Sequence, residues 1–153
     1  MALFSRVALA GDIPALVALE HPCFTTDRLS SRSFHWMISR AHGQLLVAEQ
    51  DGQLLGYALV LFRRGSVFAR LYSIAIAEHA RSLGLGKQLL SHVEACAVTH
   101  GCTHLRLEVR TDNPRALALY ERNGYRRFAQ VNDYYADHTP ALRLEKTLVR
   151  PPA

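Results

Sequence analysis

The chain of 153 residues has only three cysteines, Cys23, Cys96 and Cys102. An odd number at these spacings fits no disulfide framework, so the fold must be held by its core. The thiols read as reduced, as in a cytoplasmic protein. There is no run of 18 apolar residues, which excludes a membrane-spanning helix. The N-terminal stretch MALFSRVALAGDIPALVALE is broken by Asp12 and Pro14 before a signal-peptide core forms, and Glu20 follows. It reads better as strand, turn and helix. No run of five or more like charges occurs, although the formal net charge is +5. The arginines are dispersed in ones and twos, as at Arg63-Arg64 and Arg126-Arg127, and no aromatic-interleaved motif accompanies them. Neither a nucleic acid nor a membrane is expected as a partner, and most of these charges read as a solvated surface. Internal repeats and low-complexity tracts are also missing. What remains is an ordinary composition, 49% apolar and 20% charged, in a length that fits a single domain over residues 1–153. Such a domain buries about 70% of its unfolded surface and needs no staple. The end, residues 148–153, is expected to be a frayed tail.

Hydrophobic patterning orders the elements. Residues 3–9 read as a strand, and Asp12 with Pro14 opens a helix expected to run through Ala18. A second helix is expected from about Ser30 to Arg40, stopped by Gly43. Two apolar runs flank Asp51-Gly52, a hairpin signal because a type I′ turn needs positive φ. With residues 67–77 they form a three-strand antiparallel meander. The period then changes: Leu85, Leu89, Leu90, Val93, Cys96 and Ala97 mark a helix from Gly84 to His100. HLRLEVR, residues 104–110, alternates as a strand. Asn113-Pro114 begins a helix that Gly124 ends. Residues 125–132 and 141–148 close as two strands. The strand-helix-strand unit over residues 68–110 implies a local parallel pair with a right-handed crossover. The expected class is α/β (α+β), a mixed, mostly antiparallel sheet of six to seven strands with about four helices.

Between the long strand and the amphipathic helix lies Arg81-Ser82-Leu83-Gly84-Leu85-Gly86-Lys87. Glycines let backbone N–H groups converge on an anion, a helix N-terminus adds its dipole, and Arg81 and Lys87 add full charge. The turn suits a pyrophosphate. It is not a Walker A loop, which needs glycine where Arg81 stands and Ser or Thr where Gln88 stands. It is not a dinucleotide fingerprint, which needs a third glycine where Leu89 stands. The glycines alone would equally serve a strand-to-helix turn without a ligand.

Arg81-x-x-Gly84-x-Gly86 resembles the coenzyme A-binding motif Q/R-x-x-G-x-G/A of the GNAT superfamily. The stretch from Leu107 to Tyr125, with L-E-V-R, N-x-x-A-x-x-x-Y and G-[FY], is similar to the bacterial ribosomal-protein-alanine N-acetyltransferases. The resemblance covers residues 70–135 and is weak before residue 65. It implies a GNAT fold with a central strand splay, and acetyl-CoA as cosubstrate with no metal. Ile74, Ala75 and Ile76 fall on the splayed strand, where backbone groups bind the pantetheine arm and one N–H can hold the developing oxyanion. Ser82, Leu83, Gly84, Leu85, Gly86 and Lys87, with Arg81, fall at the pyrophosphate turn. Asn113 matches a cofactor-contacting asparagine and also reads as a plain N-cap. Glu108 matches the proposed general base and Tyr120 the proposed general acid. Tyr134 and Tyr135 resemble a pair lining the acceptor entrance.

The chemistry is consistent with these assignments. Attack on a thioester needs a neutral amine, and an α-amine of pKa near 8 is neutral to about a tenth at pH 7, a lysine amine only to about one part in two thousand. An N-terminal acceptor therefore asks for a weak base, direct or through water, which Glu108 could supply. Tyr120 could protonate the departing thiolate. On residues alone, Glu108 is also a surface strand glutamate and Tyr120 a packing tyrosine. His92, Cys96 and His100 share helical spacing, but no zinc pattern emerges.

The expected activity is acetyl transfer to a primary amine by direct attack in a ternary complex, with a protein or peptide N-terminus favoured. Alternatives are a small-molecule acceptor (an aminoglycoside, polyamine or amino acid), for which Glu20, Asp27, Asp133 and Asp137 could form an acidic groove, or a non-catalytic coenzyme A sensor. Monomer and homodimer both fit the sequence.

Overall fold

The Asp51-Gly52 turn closes the central hairpin as its residue types require. Both residues have positive φ, 53° and 77°, and Gln50 faces Gln53 across it. It joins β2 (Gly43–Gln50) to β3 (Gln53–Phe62), and β3 pairs antiparallel with β4 (Phe68–Ile76). The computed structural model describes residues 4–148. In chain order the other elements are β1 (Phe4–Val7), α1 (Ile13–Cys23), α2 (Ser31–Ser39), α3 (Leu85–Thr99), β5 (His104–Arg110), α4 (Pro114–Arg122), β6 (Arg126–Val131) and β7 (Ala141–Thr147). Short 3-10 turns, Ala10–Asp12 and Glu78–Leu83, lead into α1 and α3.

The seven strands form one sheet in the order β1-β2-β3-β4-β5-β7-β6. Every neighbouring pair is antiparallel except β4 and β5, which α3 connects as a crossover. The sheet divides the interior into two cores. On one face, Leu85, Leu89, Leu90 and Val93 of α3 and Tyr120 of α4 pack on Leu71, Leu105 and Leu107. On the other, Leu16 and Leu19 of α1 and Phe34 of α2 pack on Val47, Tyr57 and Leu59. Each fully buried leucine here contributes about 1.5–3 kcal/mol relative to exposure.

Two expectations shift. Helix α1 does not end at Ala18 but continues to Cys23, with Pro22 inside its last turn. Proline removes the donor that would bond Ala18 O, but in the last turn it costs a single bond and bends no helix beyond it, and Phe24 N still bonds Glu20 O at 3.2 Å. The extra turn carries Leu19 and Glu20 into the interior. Leu148 is buried in the first core and its N–H donates to Thr103 O at 2.8 Å, so it belongs to the fold rather than to a tail. The expected fraying of residues 149–153 lies outside the described residues. Among the described residues, no helix is long and apolar enough to cross a membrane.

Candidate active site

The parallel ladder between β4 and β5 runs from Phe68–His104 to Leu71–Leu107 and stops there. Beyond it β4 stays paired with β3 as far as Ile76, and β5 stays paired with β7 as far as Arg110. The two strands therefore part, and Ile74, Ala75 and Ile76 line the gap, as expected of the splayed strand. Backbone direction alternates along a strand. Ala77 N donates to Leu55 O of β3 at 2.8 Å, so Ala75 also turns its N–H toward β3, while Ile74 and Ile76 turn theirs into the gap. Two backbone donors thus face a cleft where β5 offers no partner.

The cleft has a volume of about 700 Å³, and its far end is the basic turn. Gly84 holds φ at 75° to start α3, a conformation that a side chain disfavours. Gly86 serves another purpose: a Cβ there would lie 3.0 Å from Leu119 Cδ2, so its absence lets α3 and α4 approach across the cleft. Arg81, Gly84, Gly86 and Lys87 line the cavity. Arg81 Nε donates to Ile76 O at 3.2 Å, which ties the turn to the splayed strand. Leu85 is fully buried in the core, so only its backbone can face a ligand. Ser82 and Leu83 belong to the 3-10 turn but do not line the cavity.

Helix α4 forms the opposite wall. Asn113 is its N-cap, with Oδ1 accepting from Ala116 N at 3.2 Å, and the same residue borders the cavity. Both readings of Asn113 describe its position. Tyr120 lines the cavity from the core side, with its ring edge-on to Tyr125 at 5.9 Å. Burial pushes its phenol above the ordinary tyrosine value, which favours the protonated form.

Glu108 stands on the other side of the gap. It is the first β5 residue after the last shared rung, and it does not border the cavity. Its side chain is 11% exposed and engaged with cations: Arg70 Nη2 lies 2.6 Å away and Arg143 Nε 3.5 Å. Tyr134 Oη donates to the same carboxylate at 3.3 Å and accepts from Arg70 at 2.8 Å. Tyr135 packs edge-on to Tyr134, under the Arg110 guanidinium at 4.9 Å from its centroid. The structure thus brings Tyr134 and Glu108 together, and separates both from the cavity that Tyr120 lines.

The four carboxylates proposed for an acidic groove do not all meet, since Glu20 is apart from the other three. Glu20 is buried in the core, and Asp137 is held by Arg110 at 2.6 Å, which keeps its carboxyl below the usual range. Asp133 pairs with His138. Asp27 accepts from Ala136 N at 3.3 Å, which joins the α1–α2 connection to the β6–β7 connection. The histidines of α3 have other partners: His92 bonds Ser5 Oγ at 2.6 Å and His100 stacks on Phe62 at 4.0 Å. No cluster of three metal-ligating residues forms among the described residues.

Cys23, Phe24, Arg115, Leu119, Arg122 and Asn123 also line the cavity, and none was singled out in the sequence. The α4 residues could have been found from helical spacing, since Arg115, Leu119 and Arg122 follow one face of the helix at i, i+4 and i+7. Cys23 and Phe24 carried no signal, because they reach the cleft only when α1 extends past Pro22.

A gapped parallel pair inside a mostly antiparallel sheet, opening on a basic helix-start turn, defines an acyltransferase architecture. The chain belongs to the acetyltransferase (GNAT) family, whose model matches residues 13–125. It is 30% identical over 128 residues to a putative [ribosomal protein bS18]-alanine N-acetyltransferase of Bacillus subtilis, covering 83% of each chain. Its fold superposes on the ribosomal-protein-S18-alanine N-acetyltransferase from Escherichia coli with a TM-score of 0.84 at 23% identity, over 99% of this chain and 97% of that one. It superposes equally on yncA, a putative acetyltransferase from Salmonella typhimurium with its cofactor acetyl-CoA, with a TM-score of 0.83 at 19% identity, over 100% and 98% of the two chains.

Proposed function

We propose that the protein transfers an acetyl group from acetyl-CoA to the α-amine of a protein or peptide N-terminus, by direct attack in a ternary complex. The observation that carries this reading is the β4–β5 gap, which joins a basic turn on one side to an open sheet face on the other. In this reading the pyrophosphate meets the N–H groups of residues 82–87 with Arg81 and Lys87. Pantetheine runs along Ile74–Ile76, and Asn113 and the α4 arginines hold the outer part. These side chains and turns fit a long, polyanionic thioester: the cavity volume of about 700 Å³ lies within the usual ligand-site range. The named cofactor of the Salmonella neighbour supports the same choice.

The amine enters from the sheet face that bears Glu108. Glu108 accepts a hydrogen bond from it, directly or through one water, and is the proton acceptor that the family resemblance names. The thioester oxygen is met by a backbone N–H of Ile74 or Ile76. Tyr120, which lines the cavity, donates a hydrogen bond and then a proton to the departing thiolate. A peptide is favoured over a polyamine because Glu108 and Asp137 near the entrance are paired with arginines, which leaves less free negative charge for a polycation. The relative named for ribosomal-protein alanine acetylation points the same way. The test is release of free coenzyme A from acetyl-CoA with a panel of N-terminal peptides, polyamines, amino acids and aminoglycosides. The reading expects turnover with peptides, and turnover confined to a small amine would replace the acceptor.

A further inference from the structure

Glu20 is the one charged side chain sealed into the core of the described residues, at 2% exposure. Both of its oxygens are used. Oε1 accepts from Tyr57 Oη at 2.6 Å, and Oε2 accepts the backbone N–H of Leu29 at 2.7 Å. Tyr57, itself fully buried, shares a second hydrogen bond of 2.8 Å with Ser73 Oγ. Because the Tyr57 proton points at Glu20, its oxygen is free to accept the Ser73 proton. The chain of donors then runs one way: Ser73 to Tyr57 to Glu20. Ser73 Oγ is left with its own lone pairs at the outer end.

The position of that outer end gives the chain its meaning. Leu71 is the last β4 residue paired with β5, and Ser73 lies two residues further, at the start of the gap. Its contact with Tyr57 places it on the α1 face of the sheet. Alternation places Glu108 on the same face, since Leu107 and Val109 belong to the opposite core. Ser73 on β4 and Glu108 on β5 therefore share the α1 face of the sheet, each just past the last rung that joins the two strands. Merely tying α1 to the sheet would not need a charge, since a buried carboxylate is costly unless fully bonded and an apolar or amide contact would serve.

We propose that Ser73, Tyr57 and Glu20 form a proton outlet for the acceptor amine, with Glu20 as the terminal acceptor. This rests on the acetyltransferase reading and adds a second route beside Glu108. The nitrogen lone pair attacks the thioester carbon, a C–N bond forms and the C–S bond breaks. The ammonium proton passes to Ser73 Oγ as the Ser73 proton passes to Tyr57 and the Tyr57 proton to Glu20. The thiolate takes the Tyr120 proton, and exchange with water returns Glu20 and Tyr120 to their starting states. When the proton leaves by this route, Glu108, held by Arg70 and Arg143, orients the nitrogen, and it remains the acceptor of the direct route.

Electrostatics agree with this division. Burial pushes the Glu20 carboxyl above its ordinary range, against the opposing hydrogen bonds from Tyr57 and Leu29 and the charge of Arg28. A carboxylate so tuned is a better proton acceptor at neutral pH. Burial and the Glu20 charge push the Tyr57 phenol upward too, so it relays by exchanging protons and never ionises. The other groups that bear on Glu20 are Cys23 on its own helix and Arg28 on the following connection.

The test is the pH dependence of kcat/KM with a peptide acceptor for the wild type, Ser73→Ala, Glu20→Gln and Glu108→Gln. For the wild type, the acidic limb is expected to steepen toward a slope of two, where both the amine and Glu20 are protonated. Ser73→Ala and Glu20→Gln are expected to lose at least about tenfold in kcat near neutral pH and to fall with a slope of one, leaving KM for acetyl-CoA in place. Ser73→Ala guards against a folding artefact, because it removes one half-buried hydroxyl and should leave Tm nearly unmoved. Wild-type kcat and an unchanged limb in Ser73→Ala would overturn the outlet and leave Glu20 as a structural tie. Loss of the steep limb in Glu108→Gln alone would also overturn it. A wild type that turns over no acceptor would instead overturn the acetyltransferase reading, and the outlet with it.

Discussion

Nη2 of Arg70 lies 2.6 Å from Oε1 of Glu108, across the point where β4 and β5 separate. The pair holds one strand edge to the other just where backbone hydrogen bonding ends, and Tyr134 bridges both groups. Arg70 is nearly half exposed, so the pair contributes little to stability, within about 0–1 kcal/mol. Its effect should appear in acceptor handling. Arg70→Ala is expected to change KM for a peptide acceptor several-fold while KM for acetyl-CoA stays constant, read from initial rates with each substrate varied in turn. Equal changes in both would argue against an acceptor-side role.

Tyr120→Phe removes a single hydroxyl from a buried ring. Packing against Tyr125 survives, so Tm is expected to shift by little. As the proton donor to the thiolate, the hydroxyl is expected to be worth about 100-fold in kcat, the lower range for a general acid. Binding of acetyl-CoA, measured by calorimetry, should be unchanged.

Gly84 is the turn residue most sensitive to a side chain. At φ 75° an alanine costs about 1–2 kcal/mol. Gly84→Ala is therefore expected to lower Tm and to raise KM for acetyl-CoA together. Lys87→Ala should raise KM without the loss of Tm, and should flatten the dependence of acetyl-CoA affinity on salt, because a screened charge has been removed.

Most of the fold was legible because its signals were local. The Asp51-Gly52 hairpin, the period of Leu85 to Ala97 and the Asn113-Pro114 cap each depend on residues close in sequence. The basic end of the cavity was legible for the same reason, since Arg81, Gly84, Gly86, Lys87 and Asn113 sit in local motifs. The acceptor side was not. Arg70 meets Glu108 across 38 positions, and Glu20 meets Tyr57 across 37, so neither partner could be inferred from the other. The extension of α1 past Pro22 was hidden because its driving force is tertiary: Leu19 and Glu20 are buried only after the sheet has formed.

Glu20 also sets a pH dependence of stability. Its carboxyl is raised in the folded state, so between the unfolded value and the folded one the native protein binds more protons than the unfolded chain. Stability therefore falls as pH rises through that window. Glu20→Gln should remove this fall, giving a Tm that varies less from about pH 4.3 upward. Asp12, depressed by its hydrogen bonds to Arg6, acts with the opposite sign: its contribution is present above the unfolded value and is lost as pH drops toward the folded one. Asp12→Asn should flatten the acid side of the same Tm profile and leave the upper window alone.

The central claim is acetyl transfer from acetyl-CoA to an amine, and the most direct test is coenzyme A release by the wild type and Tyr120→Phe, side by side, with N-terminal peptides as acceptors. The account predicts turnover by the wild type, sharply lowered by Tyr120→Phe at unchanged acetyl-CoA affinity. A protein that fails to bind acetyl-CoA would contradict it.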